Sequence, residues 1–402
     1  MAYAERLART WRARFKKPDG TWASKSGFDT KEAALNWSQE QEAEVRRRTW
    51  ISPQEREVPF GDFAEQWLAR ARLSETTRDK YRSYLDNHLR GQWERWPLIS
   101  IFNSHLDIQA WVNELHEELS EPSVSSVFAL FSTVLNVAVR ARKIPANPCH
   151  GIRVSSGAYE ADRQVATPMQ VVRAAMRLHH TFGRAGFVLT LMNAYTGARW
   201  SELVALQAHE YDEVNRAVPV RTPLRESGGK MSKAAQPKTP AGKRWLHLPG
   251  FLDALYTDLI AQSETELVFT GAHGGALRRG NFRSRFWRPA WDGVSDSAQA
   301  WLRSPVLPGF TFNEGRHTHR TWLAEEGVPE VARAARLGHR MPGMANVYEH
   351  VTPAMREQVL IVLEQRWQAS VGALGPGERE RLMEMAPRLG EYYPDKSQRK
   401  AS

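Results

Sequence analysis

The sequence predicts a multidomain protein that is mainly α-helical with small β elements. Three observations carry that expectation. Apolar residues recur at helical spacing through most of the chain, as over residues 123–142, where Val127, Leu130, Phe131, Val134, Leu135 and Ala138 form one stripe. Strict alternation is confined to short runs such as Trp11-Arg12-Ala13-Arg14-Phe15. Two polar stretches, residues 51–59 and 154–164, break the periodicity with proline or with serine and glycine, and 402 residues leave room for about two or three domains.

Residues 1–50 read as a small unit of three strands and one helix. The alternating run at Trp11, the turn Lys17-Pro18-Asp19-Gly20 and the returning Thr21-Trp22-Ala23-Ser24-Lys25 make a hairpin, and Gly27-Phe28 begins a third strand. Asp29 or Thr30 caps a helix whose Ala33, Ala34 and Trp37 share a face, and Arg46-Arg47-Arg48 close it where the helix dipole favours cations. Arg12, Arg14, Lys16, Lys17 and Lys25 lie on or near the strands. After the linker at 51–59, residues 60–153 read as a helical bundle, with helices over 60–68, 74–85, 108–119 and 123–142. The second of these carries Thr76, Thr77, Arg78, Lys80 and Arg82. The linker at 154–164 leads to a mixed α+β domain over 165–370. It opens with helices from Pro168 and Gly186; residues 224–237, rich in Gly, Ser, Lys and Ala, interrupt it before a turn flanked by strand-like residues around Lys243-Arg244-Trp245-Leu246. A helix over 280–291 presents Arg283 and further arginines to a phosphate backbone, residues 301–310 form a loop, and a helix from Pro353 to Trp367 precedes a peripheral tail at 371–402.

Composition narrows the partners. A net charge of +10 and an isoelectric point near 9.7 favour an acidic partner, nucleic acid first. The single cysteine, Cys149, excludes an internal disulfide framework and fits a reducing cytoplasm. No stretch reads as long and apolar enough to span a bilayer, so no membrane partner is expected.

Chemistry concentrates in Thr311-Phe312-Asn313-Glu314-Gly315-Arg316-His317-Thr318-His319, Leu337-Gly338-His339 and Tyr348-Glu349-His350-Val351. Arginine offers a planar fork of donors to two phosphate oxygens and keeps its charge at working pH. A tyrosine hydroxyl, with a pKa of about 10, attacks phosphorus only where several cations stabilise the developing charge. A second arginine, Arg199, sits where a turn at Gly197 leads into a helix, so the free amides of that helix start also favour an anion.

Taken together, Thr196-Gly197-Ala198-Arg199-Trp200-Ser201-Glu202-Leu203, the Arg316-His317-Thr318 box, Leu337-Gly338-His339 and a tyrosine nine residues later resemble the tyrosine recombinase (phage integrase) family. The likeness is strongest to the three-part integrases of actinobacterial phages and integrative elements, and it covers about residues 1 to 370. It implies an arm-type DNA-binding domain at 1–50, a core-binding domain at 60–153 and a catalytic domain at 165–370. It further implies that Arg199 and Arg316 clamp the scissile phosphate, His339 donates to a non-bridging oxygen and Tyr348 attacks to form a 3′-phosphotyrosyl link. Lys238, with Lys233 and Lys243 as rivals, is the implied general acid; Glu202 orients its neighbours and His317 is structural. Neither metal nor cofactor is called for. The implied partners are double-stranded DNA at core-type and arm-type sites, a homotetramer on that DNA, and an excision factor or DNA-bending host protein, all at the bacterial nucleoid.

One residue departs from the pattern. The family usually carries histidine or lysine three residues before the second arginine, and here Asn313 stands there. An amide neither takes nor gives a proton near neutral pH. Two other readings stand beside the integrase: a DNA-binding remnant weakened in cleavage by Asn313, and a type IB topoisomerase-like nicking and closing enzyme, which shares the arginine, lysine, histidine and tyrosine chemistry.

Overall fold

A computed structural model describes residues 2–47, 50, 52, 57–154, 163–227, 229–233, 242–339 and 351–392. The chain divides into two compact units, residues 1–159 and 160–402.

The first unit opens with an antiparallel sheet of three strands in sequence order, β1 (Tyr3–Arg6), β2 (Trp11–Lys16) and β3 (Trp22–Phe28). The expected hairpin is β2–β3, but the third strand is Tyr3–Arg6 and does not begin at Gly27. Gly27 instead forms a bulge: Trp11 pairs with Phe28 and Arg12 with Ser26, and the extra residue takes φ +100, a conformation open to glycine. Helix α1 (Lys31–Arg47) is capped by Thr30, whose hydroxyl accepts from the Ala33 amide at 3.1 Å. It covers the sheet face carrying Ala13 and Phe15, and the Phe15 ring packs edge-on against Trp37.

The bundle follows. Its helices are α2 (Phe60–Arg70), α3 (Glu75–Tyr84), α4 (Leu98–Phe102), α5 (His105–Glu118) and α6 (Glu121–Arg140), with α3 running on through a π-helical turn at Leu85–Leu89. Trp93, Trp111 and Phe131 meet at its centre with ring separations of 5.1–5.7 Å. Contrary to expectation, α6 is long and apolar enough to cross a membrane by length and composition, with a mean hydropathy of 1.6 over its most apolar window. Its apolar stripe, however, is the buried spine of the bundle. Burial also pushes the Cys149 thiol up to about 12, so it stays protonated and unreactive.

The second unit is built on α7 (Pro168–Phe182) and α8 (Arg184–Thr196). A capping box of Thr167 and Gln170 starts α7, whereas α8 is buried on nearly every side. A one-turn helix α9 (Trp200–Leu203) follows, then β4 (Ala217–Val220), β5 (Leu224–Ser227), β6 (Lys230–Lys233) and β7 (Arg244–His247). The stretch expected to interrupt the domain is in part a hairpin, β5 against β6, and β7 pairs with β4. Next come α10 (Gly250–Ala261), α11 (Arg279–Phe282) with a π-helical turn at Arg283–Trp287, α12 (Phe312–Glu325), α13 (Glu330–Leu337), α14 (Pro353–Ala373) and α15 (Pro376–Met385). The loop expected at 301–310 includes part of a short helix, Ala300–Arg303. The tail is not peripheral as far as Leu389. Leu374, Leu382, Ala386 and Leu389 join the same core as Val359, Leu363 and Trp367 of α14, and Glu378 accepts from Arg173 at 2.7 Å.

Candidate active site

The site is assembled where α8 ends. Gly197 takes φ +64 there, and a Cβ on it would fall 2.6 Å from Leu337 and 2.8 Å from His319, so only glycine fits. Two residues later Arg199 is the N-cap of α9. Glu202, one turn on, accepts from the Arg199 amide at 2.8 Å and from its guanidinium at 2.9 Å, and accepts from Arg244 Nη2 at 2.8 Å. Arg199 is 44% exposed while Arg244 and Glu202 are buried, so Arg199 is the member that faces solvent. Burial pushes the Glu202 carboxyl up, but hydrogen bonds and charge from Arg244 and Arg199 outweigh it and hold the group below its usual value.

Arg316 lies in the first turns of α12, which Thr311 and Glu314 cap reciprocally. The helix lies close against α8 because Gly315 has no side chain: a Cβ would sit 1.7 Å from Asn193 Oδ1. Buried there, Arg316 donates to the Gly197 carbonyl at 2.8 Å, to the Leu337 carbonyl, and to His339 Nε2 at 2.8 Å. Burial first, and Arg199 second, lower its pKa to about 9, which leaves it charged at neutral pH. His339 follows Gly338, whose φ of +67 ends α13, and its amide donates back to Ala334 at 2.9 Å. Burial, then Arg316 and Arg199, push the His339 imidazole down to about 4. It is therefore neutral, accepting at Nε2 with its proton on Nδ1.

A second layer backs these groups. Arg244 Nε donates to the Arg336 carbonyl at 2.7 Å. Arg336, itself buried, donates to the carbonyls of His247 (2.9 Å) and Tyr195 (3.1 Å) and to His319 Nε2 at 3.3 Å. His319 in turn donates from Nδ1 to the Ala194 carbonyl at 2.9 Å. Burial, with Arg244 second, lowers Arg336 to about 9, and burial followed by Arg336 keeps His319 neutral. Arg199 and Arg244 thus bond the Glu202 carboxylate, Arg316 lies within electrostatic reach of all three, and Arg336 backs Arg244, an arrangement with more positive than negative charge that attracts an anion. Arg244, Arg336 and His319 were not among the expected site residues. His319 stands inside the Arg316 box, but nothing in the sequence separates Arg336 from a surface arginine.

Other expected residues fall as follows. Asn313 is exposed at the second position of α12, its amide 3.4 Å from His317 Nε2. His317 faces Arg163 at 3.1 Å, and none of its described partners belongs to the arginine cluster. Lys238 and Tyr348 lie outside the described residues. Arg283 is exposed at the start of its π-helical turn, beside a cavity it lines with Trp200, Phe282 and Phe312. In the bundle, Arg78 is turned inward to the carbonyls of Leu68 and Ala71, Arg82 pairs with Glu65, and Thr76 and Thr77 bond the Ser74 hydroxyl that caps α3. Lys80 lies 5.1 Å from the Tyr84 ring. In the sheet, Lys25 pairs with Ala13 and reaches over the Phe28 and Trp37 rings, on the face that α1 covers. Arg12, Arg14 and Lys16 alternate onto the opposite face, and Lys17 belongs to the turn.

Residues 169–355 match the phage integrase family, and that span contains the whole arginine cluster. The chain carries a tyrosine recombinase domain of the integrase type. The recombinase is similar to the prophage phiRv2 integrase of Mycobacterium tuberculosis, with 22% identity over 374 residues, 88% of this chain and 92% of the relative. Its fold is shared with the Tn1549 transposon integrase in complex with a circular intermediate DNA (TM-score 0.59, 19% identity, 74% of this chain and 97% of that one). It is shared as well with a lambda integrase tetramer bound to a Holliday junction (TM-score 0.52, 16% identity, 87% and 98%). Neither the remnant nor the topoisomerase-like reading is favoured by these likenesses.

Proposed function

We propose that this recombinase breaks and rejoins duplex DNA through a 3′-phosphotyrosyl intermediate at specific sites, integrating a phage or other mobile element and excising it. The observation that carries the reading is the convergence of Arg316, His339 and the Gly197 turn that presents Arg199. The scissile phosphate takes one non-bridging oxygen on Arg199 and the other on Arg316, displacing the carbonyl and imidazole acceptors that Arg316 now uses. The added negative charge favours a donor state of His339, which then bonds a non-bridging oxygen. Tyr348 oxygen attacks phosphorus as the P–O5′ bond breaks, Lys238 protonates the departing 5′ oxygen, and the tyrosine proton passes to solvent because Asn313 cannot take it. Attack by a 5′ hydroxyl of the partner strand on the phosphotyrosine expels Tyr348 and closes the new junction. The bond energy is kept throughout.

Glu202 holds Arg199 and Arg244 in place, and Arg283 secures position on the backbone. Residues 1–50 bind arm-type sites and residues 60–153 core-type sites, with Thr76, Thr77, Lys80 and Arg82 at the duplex. The lambda integrase tetramer on a Holliday junction supports four copies working together, with an excision factor or DNA-bending host protein setting direction at the nucleoid. The test is covalent trapping on nicked suicide duplexes carrying candidate core sites. Wild type should give an adduct that survives denaturation, Tyr348→Phe none, and Asn313→His a faster one. An adduct that persists in Tyr348→Phe would overturn the assignment of the nucleophile.

A further inference from the structure

The face of the amino-terminal sheet away from α1 carries an ordered pattern. Tyr3 and Glu5 of β1, Arg12, Arg14 and Lys16 of β2, and Trp22 and Ser26 of β3 share it through the registers Tyr3–Arg14, Glu5–Arg12, Lys16–Trp22 and Arg12–Ser26. Two features are unusual for a merely solvated surface. Tyr3 and Trp22 remain 39% and 42% exposed yet pack edge to face at 5.3 Å, and the Arg14 guanidinium lies over both rings, at 5.8 and 5.7 Å. The carboxylate of Glu5, the acidic residue among these positions, bridges the two arginines: Arg12 Nη1 donates to it at 3.1 Å and Arg14 Nη1 lies 3.7 Å away. Arg12 Nε is meanwhile committed to the Ser26 hydroxyl at 3.0 Å.

We propose that this face reads guanine in the major groove through Arg12 and Arg14, and that Glu5 is the residue that makes it selective. The inference rests on the reading of residues 1–50 as a DNA-binding unit. Cross-strand partners pin both guanidiniums, so each presents its remaining donors as a fixed fork and loses little freedom on bonding. A fork of that kind matches the O6 and N7 acceptors of guanine. Residues two apart on one strand face are about 6.8 Å apart, twice the roughly 3.4 Å spacing of bases along a DNA strand. The two arginines are thus spaced for bases two steps apart. A surface built only to grip phosphate gains nothing from a carboxylate between its cations. Glu5 weakens attraction to any backbone, and it holds the arginines for base edges, so discrimination comes from a repulsive element as well as an attractive one.

The test uses the full chain and a pool of duplexes with about 20 randomised base pairs. Duplexes selected by wild type are remade with 7-deazaguanine, which deletes N7 and leaves the protein untouched. Wild type should lose about tenfold or more on the remade duplexes, and Arg12→Ala/Arg14→Ala should show little of that loss. Glu5→Gln should bind the unselected pool more tightly, with a steeper salt dependence, while its preference for selected over unselected DNA falls about tenfold. An unchanged preference in Glu5→Gln, or a deazaguanine loss that persists in Arg12→Ala/Arg14→Ala, overturns the proposal. If the double variant weakens equally on both pools, the sheet binds backbone alone and only the guanine-reading proposal fails. If it weakens on neither, the DNA-binding reading of residues 1–50 fails with it.

Discussion

At the scale of single residues, His339 has a sign that changes with its ligand. Its pKa in the protein is about 4, against about 6.5 for a free histidine. The unfolded chain therefore takes up more protons than the folded one between about pH 6.5 and 4, and stability falls as pH drops through that window. Fully buried His319, depressed chiefly by burial, acts in the same direction. A phosphate beside His339 favours the charged ring, so its pKa rises in the DNA complex. Titration of the His339 ring protons by NMR, free and with duplex bound to Tyr348→Phe, should show the upward shift; an unchanged value would remove His339 from the phosphate site. That Arg199, Arg316 and His339 come together was legible in the sequence through the motifs that carry them and the family those motifs resemble. Arg336 was not, since a long basic side chain on an amphipathic helix looks alike whether it reaches water or a buried carbonyl. Lys25 was placed without its face, because only the register Ala13–Lys25 shows which side of the sheet it takes.

At the scale of elements, the contact of α12 with α8 sets the position of Arg316. Asn193 donates to the Phe312 carbonyl at 3.0 Å and fills the space that Gly315 leaves. Gly315→Ala should force the helices apart at the upper end of the roughly 1–3 kcal/mol that overpacking costs, lowering Tm by roughly 6–12 °C. Cleavage should fall with it while duplex affinity changes less; a calorimetric scan beside the trapping assay separates the two. The long helices were legible from their periodicity. Tyr3–Arg6 was missed because four residues carry too little pattern and its pairing with Trp11–Lys16 is decided by tertiary fit. The β5–β6 hairpin was hidden by a composition typical of loops.

At the scale of the whole molecule, the segment after α14 belongs to the second unit and is not appended to it. Removing residues 374–402 strips Leu374, Leu382 and Leu389 from the core and Glu378 from Arg173. Each buried leucine contributes about 1.5–3 kcal/mol, so the truncated chain should unfold at markedly lower temperature or fail to accumulate in soluble form. Equal melting of full and truncated chains would show that these contacts carry no weight. This packing was not legible because Gly375-Pro376-Gly377 reads as a break, and the helices beyond it are short.

The described hydrogen-bond partners of Arg316 are two backbone carbonyls and an uncharged ring, and no carboxylate is among them. Dipoles hold the guanidinium in position without cancelling it. At Arg316, therefore, an arriving phosphate has no ion pair to break. A bound phosphate would be the first full negative charge that this guanidinium bonds, so the grip on DNA at Arg316 should weaken with salt more steeply than a grip by an already paired arginine.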